Sequence, residues 1–125
     1  MRRAIFWSLA LSTTAAPVAA AAAAEDWKQF VTADGYASAV ETGSIKAVGA
    51  QRAFRLRLGK VGDTHMAVAD AVLDCPSKML MLGRVALYNN GVQTGTREAD
   101  PAKPFIEPMS EQPSGDEITA LVCAD

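Results

Sequence analysis

Two cysteines, Cys75 in VLDCPSKML and Cys123 in LVCAD, stand far apart in a chain of 125 residues. A bond between them would close a loop of about 49 residues and remove roughly 4 kcal/mol of unfolded-chain entropy. No other feature would restrict the fold as much. Whether the bond forms depends on the compartment. The chain opens MRRAIFWSLALSTTAAPVAAAAAAEDW. Arg2 and Arg3 precede a short apolar run, Ala4 to Leu11, and small residues then lead to Ala-Ala-Ala before Glu25-Asp26. That order predicts a secretory signal peptide over 1–24, cut after Ala24, with Ala20 to Ala23 as alternative sites. A retained membrane anchor is the competing reading, but Ser8, Ser12, Thr13, Thr14 and Pro17 interrupt the stretch. The leader holds no cysteine for lipid attachment, so no stable membrane anchor is expected after cleavage. An exported chain meets an oxidising environment, where two cysteines form a bridge. The spacing is wrong for a C-x-x-C redox pair.

The expected mature chain, 25–125, is one domain with room for one modest core. Loss of Arg2 and Arg3 would make the net charge of −2 two units more negative. A mildly acidic chain of this kind offers no case for nucleic-acid binding.

Period-2 patterns dominate the chain beyond the leader. DWKQFVTA, Asp34-Gly35 and YASAVET read as a hairpin. Thr42-Gly43-Ser44-Ile45 reads as a tight turn with Ile45 as its apolar anchor. In AQRAFRLRLG, Phe54, Leu56 and Leu58 alternate with Ala53, Arg55 and Arg57, as in a half-buried strand. In HMAVADAVLDC, Ala67, Ala69, Ala71, Leu73 and Cys75 share one face. Cys75 must face the element that carries Cys123, so the alanine face is the covered one. Phe54 and Leu56 on that same face require pairing with an odd residue sum, which places Arg55 near Asp70, a predicted cross-strand contact. KMLMLGRVALY is apolar at both parities and belongs in the middle of a sheet. Asn90-Gly91 predicts a type I′ hairpin into VQTGTRE. Pro101, Pro104, Pro108 and Pro113 mark 100–113 as loop. PSGDEITALVCAD reads as a short helix, with Ser114 and Glu117 as a capping box and Ile118, Leu121 and Val122 on its buried face. A helix this short is unstable alone. The bridge would hold it on the alanine face, which is low enough for close approach.

The residues that could carry chemistry are few. His65, the only histidine, lies in GDTHMA and reads as an exposed turn residue, with Asp63 as its one near carboxylate. A metal set of Asp63, His65 and Asp70 or Asp74 would be scattered by strand alternation. Neither a catalytic nor a cofactor or metal site is expected. Arg55 and Arg57 share a strand face and could recognise an anionic partner. The plainer reading is a solvated face balanced by Asp70 and Asp74. Trp27 is expected in the core.

Several motifs in order, DWKQFV, GYASAVETGSI, VLDC, YNNGV and LVC, make the stretch Trp27 to Cys123 resemble the bacterial surface-adhesin protein E family. The resemblance implies an α+β fold: an antiparallel sheet of about six strands with a C-terminal helix on one face, joined by Cys75–Cys123. It also implies a cell-envelope protein that binds other proteins, since the family's founding adhesin is a dimeric outer-membrane lipoprotein that binds host matrix and serum proteins. No lipidation cysteine is present here, and Glu41 stands where the family often has Asp. The resulting expectation is a non-enzymatic exported protein-interaction module, periplasmic, with cell surface or secretion as alternatives. Its partner would be a protein, including a second copy joined through an edge strand such as 92–97. A surface adhesin for host matrix proteins, and a small periplasmic enzyme using His65, are the competing functions.

Overall fold

The structure, a computed structural model, describes residues 25–124. The leader expected over 1–24 and the terminal Asp125 lie outside the described residues. Eight strands and one helix follow in order: β1 Trp27–Val31, β2 Tyr36–Glu41, β3 Lys46–Val48, β4 Gln51–Lys60, β5 His65–Asp74, β6 Met79–Asn89, β7 Val92–Arg97, β8 Phe105–Pro108 and α1 Gly115–Val122. The strands make one antiparallel sheet with the path β1-β2-β4-β5-β6-β7. Two short strands lengthen it: β3 beside β4, and β8 beside β6. The fold is α+β, and the six expected strands are that central path.

The register follows from alternation. Phe54 faces Ala71 and Leu56 faces Ala69, so apolar side chains from both strands fall on one side. Leu73 pairs with Leu80 on β6 and extends that side. Helix α1 covers it with Ile118 and Val122, which join Val40, Phe54, Leu56, Leu73, Leu80 and Met109 in a single buried cluster. Ala69 and Ala71 are almost fully buried, as expected where a helix comes close to the sheet. Cys75 and Cys123 form the predicted disulfide, with Cα atoms 5.9 Å apart. The bridge ties the residue after α1 to the residue after β5.

The turns use local chemistry. Asn90 and Gly91 both take positive φ, 53° and 79°, which is the type I′ geometry expected between β6 and β7. Asp74 closes the β5–β6 turn. Its carboxylate accepts hydrogen bonds from the Ser77 hydroxyl and the Ser77 backbone N–H. These bonds, the hydroxyl's first, hold the Asp74 carboxyl below its ordinary value. A depressed folded-state value stabilises the fold at pH above the ordinary aspartate range, and this contribution is lost as pH falls through the folded value. In a carbon-detected NMR titration, Ser77→Ala is expected to raise the Asp74 midpoint. An unmoved midpoint would mean that the hydroxyl bond does not set it.

Three expectations change. The stretch 100–113 is not all loop. Phe105–Pro108 pairs with β6, Leu82 opposite Phe105 and Met79 opposite Pro108, and Met109–Glu111 forms a 3-10 turn. Prolines that bracket a short run suit an edge strand, where a missing N–H can face away from the ladder. The capping box does not form. Ser114 is left-handed (φ 58°) and makes no side-chain cap bond. Here the chain must turn sharply out of the 3-10 turn, because Gly115 is pressed against the Met109 carbonyl. Finally, Trp27 is only half-buried and lies on the side away from the helix. Phe30, three residues on, takes the core side instead.

Candidate functional site

No helix of the described residues covers the second side of the sheet. Strand parity decides what it presents. Trp27 pairs with Glu41. Val40 pairs with Leu56, which makes Glu41 and Arg55 the next residues in line across β2 and β4. Arg55 in turn pairs with Asp70. The predicted cross-strand pairing is therefore present, but it carries no ion pair. The Arg55 guanidinium donates to Glu41 Oε1 at 3.0 Å and to Glu25 Oε2 at 3.3 Å, and no ion pair to Asp70 forms among the described residues. The β5–β6 register shifts between Ala69 and Ala71, which sets Gly83 and Arg84 opposite Asp70. Glu41 is the more enclosed carboxylate, with its side chain 13% exposed. The Arg55 side chain is 39% exposed, so this pair belongs with the weak surface bridges. Glu41→Gln is expected to cost about 0.2–1 kcal/mol in urea unfolding, and Asp70→Asn less. Equal costs would mean that Arg55 divides its charge differently.

Arg57 is in another situation. Its guanidinium carbon lies 4.8 Å from the Trp27 ring centroid, closer than that of Arg55 at 5.5 Å. The cation–π contact contributes about 0.5–1 kcal/mol, as at exposed sites, and restrains the guanidinium beside the ring. Among the described residues Arg57 has no carboxylate within ion-pair distance. It borders a hollow of about 250 Å³ lined by Gln29, Ala37, Gly59, Met66 and the Asp63–His65 turn. In that turn Asp63 accepts the His65 backbone N–H at 2.9 Å, and its Oδ1 is 3.2 Å from His65 Nδ1. These bonds, the backbone one first, hold the Asp63 carboxyl low. His65 itself is exposed, with its side chain 72% accessible.

Four residues further back on β4, the same face opens into a trough of about 580 Å³. Ala53, Val72 and Met81 cross its floor on three adjacent strands. Lys46 of β3 borders one side, and Pro104 and Phe105 border the other. Reading the sequence does not find the trough, although a signal for it is present. KMLML is apolar at both parities, and a single helix can cover only one of them. Met79 and Met81 are bound to face outward.

The two candidate residues, Arg55 and Arg57, thus share a face but not a state: Arg55 is neutralised and Arg57 is not. The disulfide pair lies elsewhere and is structural. Strand β7, the candidate for pairing two copies, does end the sheet's path. Among the described residues, no three His, Cys, Asp or Glu side chains gather as a metal-binding group, and no helix is long and apolar enough to cross a membrane. No family model, curated protein or solved structure matches the chain.

Proposed function

We propose that this chain is a non-enzymatic, exported protein-interaction module of the bacterial cell envelope that binds its partner on the open face of the sheet. The observation that carries this reading is the pairing of an apolar trough with a ring-restrained, carboxylate-free arginine on a sheet face that no layer of the described residues covers. A face of that kind, apolar and rimmed by polar groups, is characteristic of an interaction surface. The disulfide supports a location outside the cytoplasm. The order of motifs, with a sheet, a terminal helix and the bridge between them, supports likeness to the surface-adhesin protein E family. His65 is a weak candidate for catalysis, because its one close carboxylate belongs to the same exposed turn.

The test is a photo-crosslinking amino acid placed at Val72, on the trough floor, in cells that make the protein at native level. A discrete adduct that is lost when Ala53→Glu is added supports the open face. Absence of any adduct from properly bridged protein would remove it as the binding surface. The same residue at Val92, at the start of β7, is the control. An adduct of twice the protein's mass there would identify a second copy as the partner. Protease added to intact and to lysed cells separates a periplasmic module from a surface adhesin.

A further inference from the structure

We infer that the open face recognises an acidic peptide segment of its partner, with one carboxylate held by Arg57 and an apolar side chain seated in the trough. The inference rests on the open face being the binding surface, and it names what that surface selects. Three observations combine. The Arg57 guanidinium carbon lies over the Trp27 ring, 4.8 Å from its centroid, so the ring restrains the charged group on the open face. Arg55, one step along the same face, already has two carboxylates, whereas Arg57 has none among the described residues. A planar fork of N–H donors matches a carboxylate bidentately, which a lysine in the same place could not do.

The second anchor sets the spacing. Ala53 and Arg57 are four positions apart on one strand face, or about 13 Å at the usual rise per residue. An extended peptide covers that distance in about four residues. The wall of the trough toward Arg57 is itself a polar band, Arg55 with its Glu41 partner and exposed Asp70. Peptide N–H and C=O groups can cross such a band with hydrogen bonds. An alkyl chain would have to lie on charges, so a fatty acid of the same length is disfavoured. Carboxylate and apolar anchor together thus point to peptide.

The experiment pans a random dodecapeptide library against the purified, disulfide-bonded protein and against its Arg57→Gln variant. The expected wild-type pool is enriched in Asp or Glu, with an apolar residue four positions away. The Arg57→Gln pool is expected to lose the acidic preference and keep the apolar one. A single selected peptide should bind Arg57→Gln about tenfold to a hundredfold more weakly, the range for a lost charge-assisted pair. Arg57→Lys should recover only part of that loss. Non-reduced mass and circular dichroism confirm that each variant is folded. Apolar peptides without an acid would overturn the carboxylate assignment and leave the open-face reading standing. Selection that is the same on both proteins would do likewise. A library that yields nothing on either protein would overturn both. Arg57-dependent binding of decanoate, without any peptide, would make the occupant an amphiphile and end this inference.

Discussion

Replacing both bridge cysteines, C75A with C123A, is expected to lower the unfolding free energy by about 4 kcal/mol. The magnitude follows from the loop: the two residues are 48 apart in sequence, and the bond withholds that much freedom from the unfolded chain. A domain of this size has only about 5–15 kcal/mol to lose. The effect should be global. Ile118 and Val122 on the bridged helix belong to the same buried cluster as Phe54, Leu56 and Leu80, so a helix that leaves would uncover the whole core side. One cooperative transition at lower urea concentration, with a somewhat steeper slope because the unbridged unfolded chain is more open, is the expected record. Two separate transitions would show that the sheet holds without its helix, and the unity of the core would have to be given up.

The second large effect comes from a single methyl group. A Cβ added at Gly115 would stand 1.8 Å from the Met109 carbonyl oxygen and 2.8 Å from its carbon. Neither atom can swing aside, since both are backbone. Met109 is buried, and its N–H donates to the Lys78 carbonyl at 2.8 Å, which fixes the 3-10 turn against the β5–β6 connection. On the other side, α1 is fixed by its buried residues and by the bridge. Gly115→Ala is therefore expected to cost about 3 kcal/mol or more, at the upper end for overpacking. Gly43→Ala is the matched control. Nothing lies within 4 Å of a Cβ there, and the change should stay within about 0.5 kcal/mol. If the two variants melt alike, helix and turn are not seated against each other.

Much of the sheet is legible because alternation is a local signal with a global consequence. Once Cys75 and the alanines of β5 are assigned to the covered side, the parity of the pairing with β4 follows, and Arg55 stands opposite Asp70, within that parity. Asn90-Gly91 is equally clear, since few other residues take two positive φ values in succession. What fails depends on neighbours distant in sequence. The capping box has the right residues, but the close packing of Gly115 on Met109 imposes a left-handed Ser114. Strand β8 cannot be seen among prolines until β6 supplies an edge for it. Parity could have placed Trp27. Trp27 and Phe30 are three apart on one strand, so only one of them could face the core. The partner of Arg55 escapes for a related reason: an interior strand has two neighbours, and the closer carboxylate comes from β2 rather than β5.

Helix α1 follows every strand in the sequence, and this order has a consequence for biosynthesis. While the chain is being made, the strands emerge first and can pair as a meander, with Phe54, Leu56, Leu73 and Leu80 lying bare on one surface. Nothing can hide that surface until the last turn of helix has emerged and Cys123 can reach Cys75. The chain therefore has a stage in which its apolar sheet surface is uncovered, and this stage lasts until the helix has docked.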